Sequence, residues 1–163
     1  MEAFVQAVIS NKIKPFQNVE RLDKSRKNSV VKLLNSDNFD SVVMKRTSHV
    51  MVFIYVDGAP NTEECKRAFW RLARNHRDDE TKVVFAAVDL YKNDIDGLDT
   101  PTVRFFKRRH HFYEDFDPYF YIRHYQLPLL PRLEDFYSDL VEKWAKPLWN
   151  EIYDNTKQRT DEL

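Results

Sequence analysis

The stretch His49-Val50-Met51-Val52-Phe53-Ile54-Tyr55-Val56-Asp57-Gly58-Ala59-Pro60-Asn61-Thr62-Glu63-Glu64-Cys65-Lys66 decides the fold of this chain. Val50 to Val56 is an unbroken apolar run, which predicts a strand buried on both faces of a parallel or mixed sheet. Asp57-Gly58-Ala59-Pro60 ends the strand, and Thr62 is a suitable N-cap for a following helix with acidic residues in its first turn. One side of that helix is mostly apolar at helical spacing and carries Cys65, Ala68, Phe69, Leu72, Ala73 and His76.

The composition suits one domain with a substantial core, since 42% of the 163 residues are hydrophobic. Lys+Arg and Asp+Glu balance at 26 each, so no overall field favours nucleic acid or an acidic lipid surface. No apolar run reaches the length of a membrane span, and Met1 to Ser10 lacks the pattern of a signal peptide. The single cysteine excludes an internal disulfide and an intramolecular two-cysteine redox cycle.

The other predicted elements flank this central unit. A first strand is expected at Val30–Leu34 with a helix at 38–43, and a further strand at Lys82–Asp89 completes a βαβ unit with parallel pairing. Strands are expected to follow Pro101 and to span Phe112–Phe116. Residues 117–130 read as an aromatic insertion, and a closing helix is predicted over residues 131–149 with a kink at Pro147.

Three segments resemble the catalytic domains of the protein disulfide isomerase family. Ala59-Pro60-Asn61-Thr62-Glu63-Glu64-Cys65-Lys66 aligns without a gap with the family's Ala-Pro-Trp-Cys-Gly-His-Cys-Lys. Thr100-Pro101-Thr102-Val103-Arg104-Phe105-Phe106-Lys107 resembles the proline-led strand of thioredoxin-like domains. Met1 to Phe16 resembles the junction that joins the last two domains of these enzymes. The C-terminal Thr160-Asp161-Glu162-Leu163 is similar to the Lys-Asp-Glu-Leu retrieval signal of the endoplasmic reticulum.

The resemblance implies an α/β, thioredoxin-like fold with a central mixed β-sheet flanked by helices. It implies that residues 1–25 are a helix and polar linker from a preceding domain, with the thioredoxin-like domain at 26–153 and a flexible tail at 154–163. It also implies a cis peptide bond before Pro101 and a peptide-binding role for Thr100, Pro101 and Thr102. A retrieval signal without a signal peptide predicts that the chain is part of a longer, multidomain precursor located in the endoplasmic reticulum lumen.

The chain departs from the family where the redox chemistry resides. Asn61, Thr62, Glu63, Glu64 and Cys65 form a degenerate version of the site, in which Thr62 replaces the nucleophilic cysteine. A threonine hydroxyl with no activating base nearby in the sequence cannot replace a thiolate at neutral pH. The family's buried glutamate falls on Val56, and its arginine has no counterpart in Gly97-Leu98-Asp99-Thr100. We therefore expect no catalytic residues.

Cys65 occupies the place of the family's second cysteine and has two interpretations. It is either a small buried residue of the helix face or a thiol that forms mixed disulfides with clients, and the adjacent acidic residues disfavour a thiolate. The sequence thus predicts a redox-inactive chaperone or partner-binding module, with a single-thiol oxidoreductase as the alternative. Expected partners are unfolded or partner polypeptides, without nucleic acid or membrane insertion. No cofactor is expected. No metal site is expected either, because the adjacent side chains of His110 and His111 should diverge in a solvated basic turn.

Overall fold

The computed structural model describes residues 18–23, 29–45, 47–109 and 113–145. Five strands form one mixed sheet in the order β1-β3-β2-β4-β5. The strands are β1 (Lys32–Leu34), β2 (Val50–Tyr55), β3 (Val84–Asp89), β4 (Thr102–Phe106) and β5 (Tyr113–Phe116). β1 and β2 both pair with β3 in parallel, whereas β4 pairs antiparallel with β2 and β5 antiparallel with β4. A mixed sheet in this order, with a helical crossover between β2 and β3, is the thioredoxin-like arrangement that the sequence predicts.

β2 is the central strand, and all six of its residues are buried. Its side chains alternate between the two faces of the sheet, as the period of a strand requires. Met51, Phe53 and Tyr55 enter a large core beneath the main helices, and the alternate residues enter a second, smaller core on the opposite face. Burial on both faces explains why the strand is apolar throughout.

Three α-helices pack against the larger core: α1 (Thr62–Asn75), α2 (Pro118–Tyr125) and α3 (Leu129–Leu140). A π-helical segment, Val141–Ala145, continues α3. The buried positions of α1 recur every three or four residues and include Cys65, Phe69 and Leu72, while α3 buries Leu133 and Tyr137 against the same core. The smaller core is covered by a π-helical turn, Asp40–Met44, and by side chains from the loop between β3 and β4.

Several predicted details are wrong. The N-cap of α1 is Asn61, not Thr62, because the Thr62 hydroxyl is engaged elsewhere and its backbone already lies in the helix. The segment at 117–130 contains helix α2, which begins with Asp117 accepting a hydrogen bond from the backbone of Phe120 and with Pro118 in the first turn. The closing helix starts at Leu129, two residues before the predicted Pro131.

The peptide bond before Pro101 is trans, since no described residue has a cis bond, and the cis prediction is therefore wrong. The trans form is the lower-energy isomer of an X–Pro bond. Residues 1–17, the His110–His111 pair, the Pro147 kink and the C-terminal tail lie outside the described residues. In the described part of the chain, no helix is long and apolar enough to cross a membrane.

Candidate functional site

A groove lies where the β2–α1 loop meets the residues that lead into β4. It has a volume of about 410 Å³ and is lined by Ala59, Pro60, Asn61, Thr100, Pro101, Asp117, Tyr119 and Arg123. Pro60 and Pro101, which are far apart in the sequence, therefore line the same groove. Helix α2 supplies the third wall through Tyr119 and Arg123.

The β2–α1 loop has the backbone shape that the first wall needs. Gly58 has a positive φ of 77°, and the Ala59 amide donates to the Val56 carbonyl at 3.2 Å. Asn61 is also left-handed, with a φ of 65°, and its side chain makes no capping hydrogen bond to α1. Asparagine tolerates this conformation better than most residues. The Asn61 side chain is exposed at the groove.

Thr62 stands where the resemblance puts the nucleophilic cysteine, and it is 1% exposed. Its hydroxyl donates to the Val56 carbonyl at 3.1 Å and lies 3.1 Å from the Tyr119 hydroxyl. Because the Thr62 proton is used by the carbonyl, Tyr119 is the donor in the hydrogen bond between the two hydroxyls. Thr62 therefore acts as a structural tie between the end of β2 and helix α2.

Cys65 lies one turn further along α1 and is 1% exposed. Burial, together with the smaller effects of the charges of Glu64 and Asp117, raises the pKa of its thiol to about 12. The second acidic neighbour comes from the start of α2 and not from Glu63, the neighbour that the sequence suggested. A buried thiol with so high a pKa is poorly nucleophilic at neutral pH.

Helix α2 presents an aromatic surface that continues from the groove. Phe120 and Tyr125 are 41% and 54% exposed. Phe120 stacks on His124 with ring centroids 4.2 Å apart, and Tyr121 lies 5.6 Å from Tyr125. These pairs are spaced four residues apart and share helix faces. Tyr121 also stacks on buried Phe116 at 4.8 Å, so part of the aromatic run packs into the core while part faces outward.

Charged residues contact Asp57 in the β2–α1 loop. Lys66 lies 3.2 Å from Asp57, and this contact lowers the pKa of the Asp57 carboxyl. Lys92 lies 3.8 Å from Asp57 and 3.6 Å from the buried carboxylate of Asp89. Asp89 also accepts hydrogen bonds from the backbone amides of Asp57 and Tyr91. These contacts hold the loop to the end of β3.

Thr102 has a structural role as well as its place beside the groove. It is 5% exposed, and its hydroxyl donates to the Phe116 carbonyl at 3.0 Å. Thr100 is exposed, and its hydroxyl donates to Asp99. Of the three residues predicted to bind peptides, Thr100 and Pro101 line the groove, while Thr102 lies behind it. Among the described residues, no cluster of His, Cys, Asp and Glu side chains is suited to hold a metal ion.

A protein disulfide-isomerase of Schizosaccharomyces pombe is 32% identical to this chain over 109 residues, which cover 66% of the chain. The chain contains a thioredoxin-like domain of the protein disulfide isomerase family. A protein disulfide-isomerase of Drosophila melanogaster is 25% identical over 120 residues. The matched regions are 22% and 24% of these two relatives, so this isomerase-family domain spans about a quarter of their lengths. The chain matches none of the protein-family models with which it was compared.

Two solved structures superpose partly on this isomerase-family domain. The first thioredoxin domain of mouse protein disulfide-isomerase A4 has a TM-score of 0.45 at 18% identity and covers 61% of this chain and 68% of its own. Full-length ERdj5 has a TM-score of 0.45 at 17% identity and covers 58% of this chain and 15% of its own.

Proposed function

We propose that this isomerase-family domain is a redox-inactive module that binds extended apolar segments of unfolded or partner polypeptides in the groove. The observation that carries the proposal is the state of Thr62 and Cys65. The first is a hydroxyl tied to Val56 and Tyr119, and the second is a buried thiol whose pKa is raised to about 12. Without thiol chemistry, the groove is the feature of this domain that is left to bind a polypeptide.

The lining of the groove fits a polypeptide ligand. Pro60, Pro101 and the Tyr119 ring offer apolar contact, while Arg123, Asn61 and Asp117 place polar groups around it. Ligand sites commonly combine an apolar lining with a few polar groups that orient the ligand. The exposed rings of Phe120 and Tyr125 extend the apolar surface beyond the groove. A shallow site of this kind supports promiscuous binding with micromolar or weaker affinity.

The endoplasmic reticulum lumen is the proposed location. The support is the terminal Thr160-Asp161-Glu162-Leu163 and the relatives named as protein disulfide-isomerases. Full-length protein in cells should be retained in that compartment, and truncation of the last four residues should release it to the medium. Retention unchanged by the truncation would contradict a retrieval role for this sequence.

Two assays test the proposed function. Fluorescence anisotropy of a labelled apolar peptide should show weak binding, and Tyr119→Ala should weaken it about fivefold, equivalent to about 1 kcal/mol. The control is Tyr91→Ala, which removes an equally large ring that is 75% exposed and not part of the groove lining. Equal affinities for Tyr119→Ala and Tyr91→Ala would refute binding in the groove.

Insulin reduction and refolding of scrambled ribonuclease should remain at background. Activity above background that disappears in Cys65→Ser would replace the binding module with a single-thiol oxidoreductase.

A further inference from the structure

Residues 18–23, predicted to be part of a linker, lie against the domain and are bonded to it. Asn18 and Asp94 form a reciprocal pair: the Asn18 amide donates to Asp94 Oδ2 at 2.8 Å, and the Asp94 amide donates to the Asn18 carbonyl at 3.0 Å. The Asn18 carbonyl also accepts from the Ser36 hydroxyl at 2.9 Å. The amide and the carbonyl of Asn18 are thus both hydrogen-bonded to the domain.

Glu20 is held in the same way. Its amide donates to Asn93 Oδ1 at 3.0 Å, and its carbonyl accepts from Asn35 Nδ2 at 2.9 Å. Asn93 is only 2% exposed. Its Oδ1 also accepts from the Ser36 amide at 3.2 Å, and its Nδ2 donates to the Asp89 carbonyl at 3.0 Å.

We propose that Asn35, Ser36, Asn93 and Asp94 form a polar clamp whose partner is the extended backbone of Asn18–Glu20 in the same chain. The clamp makes the segment an integral strap of the domain instead of a free linker. It holds Asn18 against Ser36 and Asp94, so the point at which the strap begins is fixed relative to the sheet.

The position of the clamp gives this orientation its significance. Asn35 and Ser36 follow β1, and Asn93 and Asp94 follow β3, so the clamp lies at the carboxyl ends of the parallel strands. The Ala59–Asn61 wall of the groove follows the carboxyl end of β2 at the same edge. Lys92 bridges the two regions, at 3.7 Å from Glu20 and 3.8 Å from Asp57. The strap itself therefore lies at the edge of the sheet that carries the groove.

Nuclear magnetic resonance of the full chain tests the strap without any peptide ligand. The Asn18 and Glu20 amides should exchange at least about tenfold more slowly than in a synthetic peptide of the same sequence. The backbone order parameter of Glu20 should be near the value of about 0.85 typical of rigid structure. Exchange at the free-peptide rate, or an order parameter below about 0.6, would overturn the proposal.

Matched variants assign the effect to the clamp. Asp94→Ala should speed exchange at Asn18 about tenfold, whereas Asp96→Ala, in the same loop, should not, because Asp96 makes no described contact with the strap. A second pair tests the hydroxyl group of the clamp. Ser36→Ala should speed exchange at Asn18, whereas the control Ser41→Ala should not, because the Ser41 hydroxyl bonds only to Asn38 among the described residues. Protected amides in β2 show that each variant is folded. The clamp would be refuted if the Asn18 amide exchanged at the same rate in Asp94→Ala as in Asp96→Ala and at the same rate in Ser36→Ala as in Ser41→Ala.

Discussion

The contact between helices α1 and α3 predicts a pH-dependent stability that can be tested by one substitution. His76, at the end of α1, lies between two carboxylates: Nδ1 is 2.7 Å from Asp79, and Nε2 contacts Glu134 of α3. The ring also lies over Tyr137 at 4.1 Å, and the Tyr137 hydroxyl donates to Asp79 at 3.0 Å. Desolvation lowers the pKa of His76, but the hydrogen bonds with Glu134 and Asp79 outweigh it, so the net pKa is raised above 6.5.

The raised pKa of His76 determines how the stability of the fold changes with pH. A histidine whose pKa is higher in the folded state stabilises that state fully below its unfolded pKa of about 6.5. The stabilisation is lost as the pH rises through the folded pKa. The side chain of His76 is 19% exposed, and each charged hydrogen bond of such a group contributes about 1.5–3 kcal/mol. Solvent screening reduces this, so we expect a total effect of about 2 kcal/mol.

His76→Phe keeps a ring against Tyr137 and removes both carboxylate contacts. Urea unfolding should show the variant about 2 kcal/mol less stable than the parent near pH 6, with a smaller difference near pH 9. His124→Phe is the control, because His124 is exposed on α2 and bonds only to the Phe120 carbonyl among the described residues. A difference between parent and His76→Phe that stays constant or grows with rising pH would refute the reasoning.

Three further predictions concern the groove and the core. Thr62→Val should lower the free energy of unfolding by about 1–3 kcal/mol, because the Tyr119 hydroxyl loses its acceptor. Thr47→Val on the surface should change that free energy little, and chemical denaturation measures both variants. The Cys65 thiol should react with a disulfide reagent about a thousandfold more slowly at neutral pH than a thiol of ordinary pKa, and a reaction as fast as in the unfolded chain would contradict its burial. Leu72→Ala should lower the free energy of unfolding, measured with heat or urea, by about 3–5 kcal/mol because Leu72 is fully buried. A decrease below about 1 kcal/mol would contradict this and would mean that the surrounding residues collapse into the cavity.

The sequence predicts the elements whose signals are local. β2 is recognised because an unbroken apolar run fits only a strand buried on both faces, and α1 because its apolar residues recur at helical spacing. The segment that forms helix α2 gives conflicting signals, since Asp117-Pro118 favours a helix start whereas Tyr119-Phe120-Tyr121-Ile122 favours a strand. Its helical form depends on the Asp117 cap, Pro118 in the first turn and contacts such as that between Tyr121 and Phe116.

Features that depend on distant partners could not be predicted. The His76–Glu134 contact joins residues 58 apart, and Glu20 meets Asn93 across 73 residues. Polar side chains that bond to backbone groups leave no periodic pattern, so Asn18–Glu20 resembled a linker. The cis bond at Pro101 was inferred from the family resemblance alone, and the meeting of Pro60 with Pro101 in one groove does not require it.

Chemical-shift mapping with a denatured model polypeptide tests the central claim most directly. The amides around Thr100 and Thr102 and those of Tyr119–Tyr125 should shift on titration, with saturation in the micromolar range or above. Amides near the clamp of the strap and around His76 should move little, because neither lies at the groove. Shifts confined to other surfaces, or none at Thr100–Thr102 and Tyr119–Tyr125, would contradict polypeptide binding by this domain.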